Sequence, residues 1–364
     1  MRRFFLNFFK IRLDTLIVGF GISGVSIAHQ LRRNNTPFHV IDSSENSSSL
    51  IAGGVMNPTV LKYYTMAWEG KKFSDYAIPF YKEISNIIEY NVFENFKINR
   101  IFNSLREHNE WIVGADKNTL GFFLNKDIHL NPLSEINTPY GYGSLKNVGR
   151  LDFKNIINKY KLLFGTNYRR EVFKYSKLQF IKEGVKYKND LYKKIIFCEG
   201  YGMKENPFFN YLPLIGNKGE MLIIKAPQLS QNIIWKGRFF IVPLGQNRFW
   251  IGATFDDSDK TTNISPTAKN DLLLELEEKL NIPFEIESHD AQIRPTVIDQ
   301  RPLLGSHPEF KNLYIFNGLG TRGSLMAPHL SKFLYDYIFL NKALPTSIDI
   351  RRFTLEKKRD LNYA

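Results

Sequence analysis

A glycine turn between a short apolar strand and a helix constrains this chain more than any other feature. The run Thr15–Val18 is apolar enough for a buried strand and leads directly into Gly19-Phe20-Gly21-Ile22-Ser23-Gly24, a GxGxxG pattern. Apolar positions with helical spacing follow over Val25–Leu31, and a second strand pattern over Phe38–Ile41 ends at Asp42. This order of strand, glycine turn, helix, strand and acid is typical of a dinucleotide-binding fold.

Each residue of the turn has a physical reason for its position. Gly19 permits a tight turn, Gly21 lets the backbone approach a pyrophosphate, and Gly24 lets the helix pack closely on the strand. The helix N-terminus around Ser23 supplies free N–H groups and the positive end of the helix dipole. Asp42 suits a carboxylate that accepts hydrogen bonds from a ribose diol, and its charge would repel a 2′-phosphate. We therefore predict a bound dinucleotide other than NADP.

The chain after Asp42 does not continue as an NAD-binding half would. Residues 47–60 instead form a loop rich in small residues, in which Gly53 and Gly54 let the backbone lie close against something flat. A plain loop of serine and glycine is the alternative interpretation of the same residues.

Two later segments favour a role for this loop at a cofactor. The strand pattern Lys193–Phe197 ends in the turn Cys198-Glu199-Gly200, and the strand pattern Leu313–Asn317 leads into a second GxGxxG match, Gly318–Gly323. A helix pattern then covers Ser324–Leu340. Too little chain follows for a second nucleotide domain, so we expect this turn to return to the first ligand, as in a flavoprotein.

The composition limits the number of domains, the cellular compartment and the kinds of ligand that we expect. A length of 364 residues corresponds to about two domains. Cys198 is the single cysteine, so it forms no internal disulfide and no thiolate metal site, and we expect a reducing cytoplasm; the seven histidines lack close metal-ligand spacing. The net charge of +13 makes a nucleic-acid partner conceivable, but the basic residues are scattered rather than gathered in one stripe. We expect no bound metal and rank a small-molecule partner above nucleic acid.

The first ten residues resemble a signal sequence only superficially. Asn7 and Lys10 interrupt the apolar run, and no small-residue cleavage site follows. The apolar stretch Leu334–Leu340 is too short to cross a bilayer and contains Asp336. We therefore expect an N-terminal extension, no membrane span and a cytoplasmic protein of unspecified oligomeric state.

At these residues the chain resembles the FAD-dependent oxidoreductases of the D-amino acid oxidase and glycine oxidase superfamily, over nearly its whole length. The final turn with Ala327-Pro328 is most similar to the oxidase half of the bifunctional enzyme that matures the wobble uridine of tRNA. The segments that carry the resemblance are the first turn with Asp42, AGGVMNP (52–58), CEG (198–200), KGEMLII (218–224), FFIVPLGQNRFWIGATF (239–255), RPTVIDQRPLLG (294–305) and GLGTRG (318–323).

The resemblance implies non-covalent FAD. Its pyrophosphate is expected on the first glycine turn, its ribose at Asp42, its adenine at the Val172 backbone, and its isoalloxazine beside the paired-glycine loop and the final turn. The implied cofactor-binding residues are Gly19, Gly21, Ser23, Gly24, Asp42, Gly53, Gly54, Val55, Met56, Val172, Cys198, Glu199, Gly200, Gly318, Gly320, Thr321, Arg322 and Gly323. Cys198 is interpreted as a small buried hydrophobe rather than a flavin tether.

The resemblance also implies a reaction: oxidation of a C–N bond of an amine or amino acid by hydride transfer to flavin N5. Arg294, in the family's RP motif, is the first candidate for bidentate binding of a substrate carboxylate. The alternative is a structural salt bridge from Arg294 to Asp290 or Asp299. Arg322 is the second catalytic candidate, facing either substrate or flavin.

Two other functions stay open. A flavoprotein acting on a modified tRNA wobble uridine would need a basic mouth, for which Lys71-Lys72, Arg169-Arg170 and Lys193-Lys194 are the obvious doublets. A non-catalytic flavin-binding module would keep the dinucleotide turn but show no flavin reduction by any amine.

The split cofactor motifs predict discontinuous domains in an α/β chain, α+β overall. We assign residues 1–79, 147–211 and 292–364 to a Rossmann-like FAD-binding domain. Residues 80–146 and 212–291 are assigned to a substrate domain of antiparallel sheet plus helix, with helix patterns at 80–90 and 269–280.

Overall fold

The computed structural model describes residues 13–43 and 47–353, so the predicted N-terminal extension lies outside the described residues. The strands are β1 (Leu13–Val18), β2 (Phe38–Asp42), β3 (Val55–Met56), β4 (Thr59–Val60), β5 (Thr65–Met66), β6 (Phe93–Glu94), β7 (Lys97–Ile101), β8 (Leu124–His129), β9 (Tyr142–Leu145), β10 (Gly149–Leu151), β11 (Tyr168–Arg170), β12 (Leu178–Ile181), β13 (Gly184–Tyr187), β14 (Asp190–Phe197), β15 (Asn217–Lys225), β16 (Ile233–Lys236), β17 (Phe240–Gly245), β18 (Arg248–Gly252), β19 (Glu285–Arg294), β20 (Leu303–Ser306) and β21 (Leu313–Asn317). The helices are α1 (Ile22–Arg33), α2 (Ser48–Ile51), α3 (Gly70–Ile87), α4 (Leu105–Ala115), α5 (Phe153–Leu162), α6 (Pro266–Lys279) and α7 (Gly323–Leu340).

The first large sheet has eight strands and a parallel centre. Strands β11, β2, β1, β14 and β21 lie side by side in parallel, while the β12–β13 hairpin and β20 add antiparallel edges. Ile17 and Ile196 point into one apolar cluster with α1, α3 and α7, whereas Leu16 and Phe197 point into a second cluster on the opposite face. Because the central strands are parallel, their carboxyl ends meet at one edge, where a doubly covered sheet of this kind binds its ligands.

The second large sheet also has eight strands, in the order β19-β15-β18-β17-β16-β7-β9-β8. Every neighbouring pair in it is antiparallel except β16 with β7. Helix α6 covers one face, where Leu272 and Leu276 pack with Leu222 and Trp235. The other face carries Met221, Val242 and Trp250 and contacts the loop that leaves α2.

The predicted α/β fold is confirmed, with the dinucleotide turn, β2, β14 and the final helix where the sequence patterns place them. The helix expected at 80–90 is α3 and begins ten residues earlier. It passes through Pro79, which is exposed, so the carbonyl that loses its N–H partner faces water. Phe73, Ala77 and Ile84 lie on its buried face against α7. The predicted boundary at 79/80 thus falls inside one helix, and the domain division stays a prediction.

None of the helices within the described ranges is long and apolar enough to cross a membrane. Helix α7, which contains the apolar stretch considered above, carries Asp336 in ion pairs with Lys332 and Lys342. The cytoplasmic location stays a prediction.

Candidate cofactor and substrate site

A cavity of about 810 Å³ lies between the carboxyl edge of the first sheet and the apolar face of the second. Its size falls within the range typical of small-molecule sites. Most residues predicted from the sequence line it together: Gly19, Gly21, Ser23, Asp42, Gly53, Gly54, Val55, Val172, Cys198, Glu199, Gly200, Arg294, Gly320, Thr321 and Gly323. We refer to this space as the main cavity.

Four predicted residues lie elsewhere. Met56 is 2% exposed and belongs to the apolar cluster under α7, and Gly24 and Gly318 also lie outside the lining. Arg322 lines a second cavity of about 280 Å³. This second cavity adjoins the main one, since Val55, Lys236, Phe240, Thr321 and Ser324 line both.

The first glycine turn joins β1 to α1 in a space that excludes side chains. Gly19 has φ of 92°, and a Cβ there would lie 2.5 Å from the Cys198 carbonyl oxygen. A Cβ on Gly24 would lie 2.1 Å from the Gly19 carbonyl oxygen, so the helix packs directly on the turn. The N-terminus of α1 is thereby fixed at the main cavity, where its first N–H groups have no partner within the helix.

Asp42 closes β2 at the same edge. Its Oδ1 accepts a hydrogen bond from the Phe20 N–H at 2.9 Å, and its Oδ2 accepts one from the Tyr168 hydroxyl at 3.0 Å. Asp42 also lines the main cavity, where its carboxylate stands in the position expected for a ribose diol. Val172 follows the neighbouring strand β11 and is 64% exposed in the cavity wall.

The paired-glycine loop is held against the second sheet by an aromatic ring. A Cβ on Gly53 would lie 2.7 Å from the Trp250 ring, and the Trp250 indole N–H donates to the Ile51 carbonyl at 2.8 Å. The flat surface in contact with Gly53 is therefore Trp250 of β18, which the sequence did not indicate. The backbone of Gly53, Gly54 and Val55 still lines the main cavity.

Two further glycines border open space. A Cβ on Gly200 would meet nothing within 4 Å, and one on Gly320 would have Thr296 Oγ1 at 3.9 Å as its nearest neighbour. The cavity wall is thus bare backbone where β14 and β21 end, which lets a large flat group approach closely. Together with the helix N-terminus and Asp42, these residues fit a dinucleotide such as FAD.

Arg294 reaches the main cavity from the end of β19. Its Nη1 donates to Asn217 Oδ1 at 2.5 Å and to the Lys218 carbonyl at 3.3 Å, and its Nη2 donates to the Thr254 carbonyl at 3.1 Å. Its guanidinium also lies 5.8 Å from the centre of the Phe255 ring. All of these partners are neutral, and burial lowers the pKa of Arg294 to about 10, which leaves it charged at neutral pH.

The alternative of a salt bridge at Arg294 does not agree with this geometry. Asp290 accepts a hydrogen bond from the Ser288 hydroxyl, and Asp299 pairs with Arg352 at 2.7 Å. Over residues 13–43 and 47–353, no carboxylate forms an ion pair with Arg294. A largely buried guanidinium, without a counter-charge from any residue of these ranges, therefore faces the cavity.

Glu199 is a partly buried acid in the wall of the same cavity. Its Oε1 accepts from the Tyr175 hydroxyl at 2.5 Å, and its Oε2 accepts from the Asn206 amide at 2.7 Å. Burial raises the pKa of Glu199 to about 7 despite these two donors. The neighbouring Cys198 follows β14 rather than lying within it; it is 4% exposed, and burial raises the pKa of its thiol well above the usual value.

Sequence reasoning missed Lys236 and Phe240, which separate the main cavity from the second cavity. The Lys236 ammonium donates to the Arg238 carbonyl at 2.5 Å and lies 4.7 Å from the centre of the Phe240 ring. Burial, reinforced by the nearby Arg100 charge, lowers the pKa of Lys236 to about 8. A lysine at the end of a strand is ordinarily solvated, so the sequence carried no signal for this position.

Comparisons with known proteins agree with this site. The profile of the DAO family, described as FAD dependent oxidoreductase, matches residues 14–337. Glycine oxidase of Geobacillus kaustophilus is 28% identical over 147 residues, which are 38% of this chain and 37% of that protein. The tRNA 5-methylaminomethyl-2-thiouridine biosynthesis bifunctional protein of Nitrosospira multiformis is 30% identical over 148 residues, 36% of this chain and 24% of that protein. The aligned stretches thus span well under half the length of these curated relatives.

Solved structures show the same fold over almost the whole chain. The glycine oxidase of Geobacillus kaustophilus has a TM-score of 0.75 at 18% identity, covering 94% of this chain and 98% of that one. Iminodiacetate oxidase from Chelativorans sp. BNC1 has a TM-score of 0.75 at 15% identity, with coverage of 94% and 98%. Because the family profile matches most of the residues, and because the cavity walls fit the cofactor, the chain belongs to the DAO family of FAD-dependent oxidoreductases and its cofactor is FAD.

Proposed function

We propose that this protein oxidises the C–N bond of an amine that also carries a carboxylate, as in an amino acid or an N-substituted glycine. The observation that carries this proposal is the largely buried guanidinium of Arg294 in the main cavity, which no acid among the described residues neutralises. The bound FAD would supply the oxidising chemistry, accepting a hydride from the carbon beside the nitrogen while the amine gives up a proton and a C=N bond forms.

A carboxylate ligand would complete the surroundings of Arg294. Burying a charge without a partner costs several kcal/mol, and the three neutral acceptors offset only part of that cost. A guanidinium has five N–H donors in a fixed fork, so donors remain for a bidentate pair with a carboxylate. This pair would anchor one end of the substrate and so orient the C–H bond that must break.

Aromatic side chains of the second sheet would exclude water from the reacting atoms. Phe240 and Trp250 of this sheet line the main cavity, as does Phe255, which follows β18 and lies under the Arg294 guanidinium. Low polarity around the charged anchor strengthens its attraction to a carboxylate. The names of glycine oxidase and of iminodiacetate oxidase, both similar to this chain, describe proteins that act on amines bearing carboxylates, which supports the same substrate class.

A second candidate is action on a modified wobble uridine of tRNA, which the name of the Nitrosospira multiformis relative favours. The basic doublets considered from the sequence support it poorly, because four of their six members pair with acids: Lys71 with Asp75, Lys72 with Glu69, Arg169 with Asp190 and Lys193 with Asp14. Lys62, in the lining of the second cavity, forms no such pair with any described residue and is the feature that keeps this candidate open.

The test is anaerobic bleaching of the flavin absorbance in the purified, FAD-loaded protein. We expect glycine or N-methylglycine to bleach it, and their amides, which lack the carboxylate, to do so far more weakly. Equal bleaching by acid and amide would refute the role given to the carboxylate. A yellow protein that no small amine bleaches, but that a tRNA carrying an aminomethyl-modified wobble uridine does bleach, would replace the first candidate by the second.

A further inference from the structure

The second cavity has an unusual charge. Three cationic side chains, Lys62, Lys236 and Arg322, lie in its wall, and none of the described residues places a carboxylate there. The remaining lining is Val55, Asn57, Thr59, Val60, Leu61, Phe240, Thr321, Ser324 and Leu325. The main cavity, in contrast, has Asp42, Glu171, Glu199 and Glu205 in its wall.

Arg322 is fixed in this wall by neutral partners. Its Nη1 donates to the Asn57 carbonyl at 2.9 Å, and Nη1 and Nη2 each reach the Thr59 carbonyl at 3.4 Å. Burial lowers the pKa of Arg322 from its usual value. With only two carbonyl partners for five N–H donors, the guanidinium keeps donors for a ligand.

The two lysines line the same space. Lys236 stands at the boundary with the main cavity, with its ammonium over the Phe240 ring. Lys62 is exposed, and its ammonium lies 5.2 Å from the centre of the Tyr63 ring. None of the three cations forms an ion pair with a residue in the described part of the chain.

Like charges in the wall of one cavity repel one another, and the partial burial of Lys236 and Arg322 adds the cost of lost hydration. An anion in the second cavity would relieve both costs at once. The second cavity shares five lining residues with the main one, Lys236 among them, so a ligand anchored at Arg294 that extends to this common wall would bring its other end to these cations.

We propose that the substrate carries a second anionic group, a carboxylate or a phosphate-type group, which binds in the second cavity among Lys62, Lys236 and Arg322. This inference rests on the proposed function, since it places the first carboxylate at Arg294. It narrows the substrate class to amines with anionic groups at both ends.

The experiment compares N-substituted glycines that differ at one end. N-ethylglycine ends in a neutral methyl group, N-(carboxymethyl)glycine in a carboxylate, and N-(phosphonomethyl)glycine in a phosphonate. Dissociation constants come from the perturbation of the flavin spectrum in the FAD-loaded protein, and rates come from anaerobic bleaching. We expect at least one of the two anionic compounds to bind about tenfold or more tightly than N-ethylglycine, and their ratio tells a carboxylate from a phosphate-type ligand.

Single substitutions show which side chains bind the second anionic group. Lys62→Gln and Arg322→Gln should each reduce the ratio of anionic to neutral affinity by about tenfold, whereas Lys97→Gln, a matched exposed lysine outside both cavities, should leave that ratio unchanged. Since Arg322 also holds two loop carbonyls, Lys62→Gln decides the outcome if Arg322→Gln fails to fold.

The experiment distinguishes the failure of the second anion site from the failure of the proposed function. Bleaching by all three compounds with equal affinity would overturn the second anion site and leave the proposed function intact. A flavin that responds to none of them, yet is present, would overturn the proposed function and this inference together.

Discussion

Removing the guanidinium of Arg294 should separate carboxylate binding from every other part of the reaction. Arg294→Met keeps an unbranched chain but deletes one charge and the donors that a substrate carboxylate would use. A hydrogen bond to a charged group contributes about 1.5–3 kcal/mol net. At about 1.4 kcal/mol per factor of ten, the affinity for glycine or N-methylglycine should fall about 10- to 150-fold.

The same substitution also disturbs the protein. Asn217 Oδ1 and the Thr254 carbonyl each lose a donor, which costs about 1–3 kcal/mol for a buried acceptor left without a partner, whereas the Lys218 carbonyl keeps the Asp256 N–H at 3.0 Å. Loss of an uncompensated buried charge acts in the opposite direction. Any general damage to the site affects all substrates alike, so the useful quantity is the ratio between a carboxylate substrate and its amide within one variant.

The assay is anaerobic flavin bleaching at several substrate concentrations for wild type, Arg294→Met and Arg294→Lys. We expect the carboxylate-to-amide affinity ratio to collapse towards one in Arg294→Met, and to be intermediate in Arg294→Lys, which keeps the charge but not the planar fork. Equal losses for the acid and the amide would refute the reasoning.

Three further perturbations test neighbouring parts of the structure. Asn217→Asp places a carboxylate against Arg294 Nη1 and beside Asp257, so this carboxylate would compete with the substrate for the guanidinium. The affinity for glycine, measured from the change in the flavin spectrum, should fall more than about tenfold. An unchanged affinity contradicts the role of Arg294. Burial raises the pKa of Glu199 to about 7, so this acid is mostly neutral at pH 6 and mostly charged at pH 8, where its charge would repel the FAD phosphates. A fluorescence titration with FAD should therefore show tighter binding at pH 6 than at pH 8. Glu199→Gln should remove this pH dependence. Gly54 has a φ of 74°, and the Cβ of Gly54→Ala would lie 1.9 Å from the Leu151 carbonyl oxygen, so this substitution should lower the free energy of unfolding by more than about 3 kcal/mol. Gly165→Ala is the control: with a φ of 50° and no neighbour within 4 Å of the new Cβ, it should lower that free energy by only about 1 kcal/mol. Thermal unfolding measures both.

The parts of the fold that the sequence predicted are those fixed by local structure. The β1 turn, α1 and β2 follow one another within thirty residues, and their glycines are required by contacts between close neighbours in the chain, such as Gly24 against the Gly19 carbonyl. The strand before Cys198 and the turn at Gly318 have the same local character. Hydrophobic periodicity and glycine spacing report such contacts directly.

The contacts that the sequence could not predict join residues far apart in the chain. Gly53 is covered by Trp250, almost two hundred residues later, and Arg294 is held by Asn217 rather than by either nearby acid. Helix α3 continues through Pro79 because the buried side of that helix, which proline leaves intact, decides its stability. No spacing in the sequence encodes these pairings, since each depends on how the two sheets meet.

The two sheets contribute different parts of the cavity wall, which explains why the cofactor can be predicted from the sequence much better than the substrate. The first sheet contributes mainly backbone to the main cavity, at Gly19, Gly200 and Gly320, and backbone that lies close to a ligand demands glycine at fixed places. The second sheet contributes side chains, including Lys236 and Arg294, whose types vary without disturbing a strand. Substitutions on the second sheet can therefore change the amine that binds while the dinucleotide turn stays the same, which is why the turn indicates FAD and only the arrangement of charges can indicate the substrate.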